Sequence, residues 1–259
     1  MSNPLFDAAN SVEEGSTGSG IKYTFTGETT TINHKGETIT LHRIRRISDG
    51  RIGGWIEKEE NLSHNGDCWV DGNAAVYGDA SVKNDAQIFG EALVFDFAEI
   101  DCRARVFGKA KVYEGARISG DAQVYNNAQV YGTATVTDYA SIQGDSRIFN
   151  GAFIVENATV YESAQIYERA RIAGHAQVYG GAQVCGGAQV YGKAQVYGNS
   201  RVCESALVYD NAQVYYNARV EGGAQVCERA QVGRDAKVCE QALVYRNDII
   251  EAEVIRYFK

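Results

Sequence analysis

A branched aliphatic residue returns at every sixth position from Val70 to Ile250, and few folds accommodate a chain with that property. All 31 positions hold Val or Ile, 22 and 9 respectively, without one insertion. Two residues before each stands a second column, which from Ala74 to Ala242 is Ala at 27 of 29 positions, with Ser146 and Ser200 as the exceptions. Two residues after each Val or Ile, from Gly72 to Arg246, Gly, Asn, Asp or Glu fills 26 of 30 positions. The unit is Ala-x-Val-x-Gly-x, as in Ala188-Gln189-Val190-Tyr191-Gly192-Lys193.

Within Ala-x-Val the period of two puts both apolar side chains on one face of a short strand. A turn follows at once, where Gly permits backbone angles that a β-carbon opposes. Because Gly holds only 13 of those 30 corners, positive φ is not expected at all of them. A strand this short is stable only when stacked on its neighbours. Three hexads closing a triangle make an 18-residue coil, and coils stack about 4.8 Å apart. The expectation is an all-β chain: a single-stranded, left-handed parallel β-helix of about ten such coils, roughly 50 Å long by that spacing. The Ala column keeps the interior narrow, so bulk at Ala188 is expected to overpack it. Helical repeats need a 3.6-residue pattern that is absent, and calcium-binding β-rolls repeat every nine residues.

The columns resemble the hexapeptide-repeat superfamily of left-handed β-helices, best known for trimeric acyltransferases. A second likeness covers the approach to the first coil: Gly53-Gly54-Trp55-Ile56, Asn61-Leu62-Ser63, then Gly66-Asp67-Cys68-Trp69-Val70. That arrangement after a small β segment is similar to the bacterial YdcK-type proteins, which are uncharacterised and carried as acyltransferases by assignment. One departure stands out. The superfamily usually places its small turn residue directly after the aliphatic one, whereas here Tyr, Phe or Cys occupies that place and Gly moves one along.

Outside the repeat, residues 1–20 are rich in Ser, Gly, Asn and Glu and read as a disordered leader. Residues 21–67 read as a hairpin and N-terminal cap. Lys22–Thr26 and Thr38–His42 alternate well, and Asn33-His34-Lys35-Gly36 supplies the turn between them. Such a piece would cover the open edge of the first coil. The helix itself is assigned to residues 68–250. The pattern fails at Asp248, and residues 251–259 are read as a C-terminal cap.

Function would have to lie on the outward positions, which sort into three faces. After the Val or Ile, the first face carries Phe89, Phe107, Tyr125, Gln143, Tyr161, Tyr179, Tyr197 and Tyr215. The second carries Tyr77, Phe95, Tyr113, Tyr131, Phe149 and Tyr167, then Cys185, Cys203, Glu221 and Cys239. The third is small or polar through Ala173 and only then holds Tyr191, Tyr209, Cys227 and Tyr245. These aromatic rows have a bland reading, mutual stacking that stabilises the rod. They also have functional readings, as a surface for subunits or a protein partner or for stacking sugars or bases. The uneven spread over the faces favours packing. Gln177, Gln195, Gln213 and Gln231 form a further column, read as an amide ladder that bonds along the stack.

Six Cys in a chain without a signal peptide fit a reducing cytosol, so a cytoplasmic location with free thiols is expected. Cys185 and Cys203 lie one coil apart, within disulfide reach, although that setting argues against the bond. A metal site is not expected, because Cys185 and Cys239 are three coils apart and no Cys-x-x-Cys occurs. Arg201, Arg219 and Lys237 beside them read as a solvated strip or, alternatively, an anion groove. The net charge of −8 is spread over the chain, with 7 basic and 10 acidic residues in 1–67 and 18 and 23 beyond. Neither a nucleic-acid partner nor a membrane span is expected from this.

Two functions follow. The first is a non-catalytic scaffold or interaction protein that uses its aromatic faces, as a homo-oligomer (trimer or dimer) or with a protein partner, and needs no cofactor. The alternative is the acyltransferase that the resemblance implies, with a CoA thioester as co-substrate. Such enzymes use a His as general base at a groove between subunits, and His175, at a corner after Gly174, is the only solenoid candidate. No loop interrupts the repeat to shape a pocket.

Overall fold

The computed structural model describes residues 20–256, so all but the last residue of the expected leader, and the final three of the chain, lie outside the described residues. Three strands open the described chain: β1 (Tyr23–His34), β2 (Glu37–Arg46) and β3 (Ile52–Ile56). Beyond them every hexad contributes a two-residue strand, from Trp69–Val70 to Val254–Ile255. These short strands stack in parallel with partners eighteen residues apart, as in Gln123↔Ser141 and Val124↔Ile142. Three sheets result, of 14, 11 and 10 strands. They form a parallel β-solenoid of about eleven turns, one more than the columns alone suggest, because pairing continues through Val254–Ile255.

The interior is the expected one. Ala and Val or Ile side chains along the repeat point inward and are almost all fully buried, from Val70 to Val238. The two exceptions in the Ala column satisfy their hydroxyls locally: Ser146 Oγ donates to Gln143 O at 2.8 Å and Ser200 Oγ to Val214 O at 3.3 Å. A buried hydroxyl left unpaired would cost about 1–3 kcal/mol.

The corners overturn one expectation. Every position of the Gly/Asn/Asp/Glu column has positive φ, the non-glycine members included, from Asn84 at 54° to Arg246 at 61°. A left-handed residue with a β-carbon costs about 1–2 kcal/mol, so the stacking must impose it. The corner carbonyl accepts a ladder bond, as Asn73 N–H to Gly90 O at 2.8 Å. The corner N–H has no ladder partner, and at several corners an acidic side chain one coil earlier supplies one. Gly174 N–H donates to Glu156 Oε2 at 2.7 Å, Gly186 N–H to Glu168 Oε2 at 2.6 Å and Gly222 N–H to Glu204 Oε2 at 2.8 Å. Glu156, Glu168 and Glu204 are therefore caps for the next coil, a use that a count of glycines does not reveal.

The solenoid entrance explains the residues before Val70. Ile56 pairs with Val76 and Leu62 bridges Val82, so the first coil takes 20 residues instead of 18, with the surplus between Leu62 and Val70. β3 runs so close to the next coil that a β-carbon at Gly53 would meet Trp69 and Val70 O at 2.7 Å, and one at Gly54 would meet Ala74 O at 2.6 Å. The Asn61 amide is buried and replaces missing ladder bonds, donating to Gly78 O at 3.0 Å and Ala80 O at 2.8 Å. Lys22 Nζ closes the surplus loop on Cys68 O at 2.9 Å and Cys68 Sγ at 3.1 Å. The hairpin of β1 and β2 joins the 14-stranded sheet through β3. It also buries Tyr23 and Ile44 in the solenoid core, so it caps that end.

At the other end Lys237 pairs with Val254, a separation of 17 residues, so the last coil is one residue short. The segment read as a cap thus begins by extending the solenoid.

Candidate functional site

Side chains directly after the inward Val or Ile stand one above another at the coil spacing. On the second face, successive ring centroids from Tyr77 to Tyr167 lie 4.8–5.0 Å apart with interplanar angles of 1–7°. On the first face Phe89, Phe107 and Tyr125 stack at 4.7 and 4.8 Å. Gln143 interrupts them, and Tyr161, Tyr179, Tyr197 and Tyr215 resume at 4.7, 4.9 and 5.5 Å. A ring inside such a ladder has both faces covered by its neighbours. What it presents outward is an edge and, for Tyr, a hydroxyl. Burial accordingly pushes the Tyr113 hydroxyl up to about 12, and raises Tyr161 and Tyr179. Stacking a sugar or base on a ring face is therefore possible only where a ladder begins, breaks or ends.

The ladders differ in access. Tyr77 is 4% exposed, because Leu41 and the ring of His34, 5.4 Å away, cover it. It leaves the expected partner surface. Phe95 is also in contact with His34, at 5.1 Å. Asp96 fixes this arrangement by accepting from His34 Nε2 and from Lys35 Nζ, both at 3.0 Å. Burial opposes ionisation of that carboxyl, but Lys35 and His34 outweigh it and hold it below the usual range. The upstream end of the second ladder is thus a docking ledge for the hairpin.

Beyond its upstream end, where Arg46 covers Trp69, the first face is open, and it is uncharged over seven coils. From Gln123 to Gly233 its outward pairs are Gln or Ser or Thr, followed by Tyr, Gln143 or Gly233. In a chain that is 22% charged this is a selected surface. Gln177, Gln195, Gln213 and Gln231 stand in register there, yet they share no side-chain hydrogen bond, contrary to the expected amide ladder. Their amides are left for something else. Downstream, the ring of Tyr215 lies over Gly233, where a β-carbon would sit 2.3 Å from it.

On the second face the structure joins Cys185 and Cys203 in a disulfide, with Cα atoms 4.6 Å apart, so the expectation of six free thiols fails at this pair. Their coils are stacked neighbours, which gives that separation directly. Arg201 Nε lies 3.1 Å from Cys203 Sγ, while Lys237 Nζ pairs with Glu221 at 2.8 Å. Among the described residues no group of three or more His, Cys, Asp and Glu is placed to hold a metal ion.

Histidines fall mainly at the entrance. His64 Nδ1 accepts from Lys22 N–H at 3.2 Å and its ring stacks on Tyr23 at 4.5 Å, and His42 lies 5.0 Å from Phe25. His175 is exposed at its corner, where its ring has no hydrogen-bond partner among the described residues.

One concavity was not foreseen. On the third face Ala173, Gly174, Gly192 and Tyr191, the first ring of its column, enclose about 340 Å³ together with Glu156, Arg171 and Gln189. Tyr191 stacks downstream on Tyr209 at 5.1 Å, but upstream it faces only Ala173. The available signal was the change from Ala173 to Tyr191 between adjacent coils, beside two glycine corners.

Two stretches of this solenoid, residues 116–132 and 212–228, match the family model described as YdcK Beta solenoid repeat. The chain carries a YdcK-like β-solenoid repeat. Each matched stretch is about one coil, and they start on different sheets, Ala116 before Arg117–Ile118 and Ala212 before Gln213–Val214. The YdcK-like signal therefore follows the hexad and not any one face. No curated protein matches the chain. No described helix is long and apolar enough to cross a membrane.

Proposed function

We propose that this YdcK-like solenoid is an interaction protein whose first face pairs with the same face of a second copy. The observation that carries this reading is the uncharged strip from Gln123 to Gly233, with its Tyr edges and unpaired Gln amides. Protein interfaces are enriched in Tyr and depleted in charge at their centres. Gln amides both donate and accept, and Tyr hydroxyls do the same, so such a strip is complementary to itself under a two-fold axis. Rigid rings already held by their neighbours lose little further conformational freedom on docking.

Placing like charges in the strip tests the reading. Tyr179→Lys with Tyr197→Lys should convert a concentration-dependent dimer, measured by sedimentation velocity, to a monomer. A wild-type chain that stays monomeric across the micromolar to millimolar range would refute self-pairing. The acyl-transfer alternative has no comparable support: His175 is exposed, unpaired and outside the lining of the cavity beside it.

A further inference from the structure

The cavity on the third face is a missing rung. Rings of this type pack at about 5 Å, and Tyr191 to Tyr209 shows the spacing on this face, 5.1 Å with planes 4° apart. One coil upstream the equivalent position is Ala173, so the upstream face of Tyr191 overlooks a space of ring thickness. Gly174 and Gly192 remove the side chains that would close it at the corner.

The two ends of this space differ in chemistry. Arg171 lies at one end, exposed and without a hydrogen-bond or ion-pair partner among the described residues. Glu156 lies at the corner end, beside Gly174. Its carboxylate is held in place by Gly174 N–H at 2.7 Å, which leaves Oε1 to accept another bond. Gln189 adds an unpaired amide beside Arg171.

We infer that this notch binds a small planar aromatic acid that carries a hydrogen-bond donor at the far end of its ring. The ring completes the ladder against Tyr191, the anionic group meets Arg171 and Gln189, and the donor meets Glu156. Stacking on one aromatic face contributes about 0.5–1.5 kcal/mol and a hydrogen bond to a charged group about 1.5–3 kcal/mol. Neither polar end alone selects the ligand; their opposite character across one ring does.

The probe is 4-aminobenzoate, measured by calorimetry on the full chain, with benzoate and aniline as single-ended comparisons. The expected result is saturable binding of one 4-aminobenzoate per chain, weakened about tenfold or more by Arg171→Gln, with both comparison compounds binding more weakly. Ala173→Tyr supplies the missing ring and should abolish binding while circular dichroism and Tm stay at or above wild type. That variant keeps the test informative, because it is expected to fold. No saturable binding of the probe in the millimolar range, or undiminished binding in a folded Ala173→Tyr, would overturn the inference.

Discussion

The first and third faces of this solenoid share a backbone, an eighteen-residue register and an interior of Ala and Val, yet they end up with opposite surfaces. Along the first, rings stack on rings and present an uncharged row of edges. Along the third, the column that follows the inward Val or Ile holds no ring as far as Ala173, and the abrupt start at Tyr191 leaves a cavity of about 340 Å³. In a solenoid, then, the outward column decides between a smooth docking strip and a notch. A complete ladder spends its ring faces on itself, and only a ladder's end has a face left for a ligand.

Predictions can be ordered by how hard they press on that contrast. The strongest concerns what the two faces share. Tyr179 and Tyr191 stand outside equivalent interiors, so Ala176→Leu behind the first face and Ala188→Leu behind the third should each destabilise by about 3 kcal/mol in denaturant titrations. A large difference between them would show that the interiors are not equivalent.

A smaller effect separates the faces. Removing a ring with two stacked neighbours, Tyr179→Ala, should cost about 1–3 kcal/mol beyond lost burial. Thr135→Ala, on the third face where no ring ladder runs, should stay within about 0.5 kcal/mol. Filling the vacancy reverses the sign: Ala173→Tyr should stabilise by about 0.5–1.5 kcal/mol as the ladder lengthens, read as a rise in Tm.

The weakest expected effect sharpens the comparison with the second face, where the hairpin covers the ladder's start. Asp96 ionises more readily in the folded chain than in the unfolded one. Its contribution is therefore complete above the unfolded pKa of about 3.9 and is lost as pH falls through the lower folded value. Because Lys35 is largely exposed, that contribution is under about 1 kcal/mol. Hydrogen exchange in β1 and β2 should rise selectively in Asp96→Asn at neutral pH, and on acidification of the wild type below that window. Unchanged protection would mean that the His34 and Tyr77 contacts hold the hairpin without Asp96.

The sequence made the solenoid legible because its interior is written as two unbroken columns, and each column residue has one possible side to face. The ladders were legible for the same reason. Other features depend on atoms that a column does not encode. Positive φ at every corner follows from stacking, and Glu156, Glu168 and Glu204 serve there through a bond to the next coil. Burial of Tyr77 comes from a hairpin outside the repeat. The Arg171–Glu156 notch is made of side chains that are absent, at Ala173, Gly174 and Gly192, and absence is hard to read without knowing which neighbours are large.

All of this depends on outward residues eighteen apart being stacked neighbours, as Cys185 and Cys203 are, with Cα atoms 4.6 Å apart. The direct check is a mild-oxidation cross-link in the double variant Tyr131→Cys, Phe149→Cys, mapped by peptide mass spectrometry. A disulfide between the two introduced thiols is expected in place of the stacked rings, formed as readily as the Cys185–Cys203 pair. If these two thiols do not join, while those of a second double variant, Tyr125→Cys, Tyr131→Cys, on adjacent faces do, the eighteen-residue register is wrong.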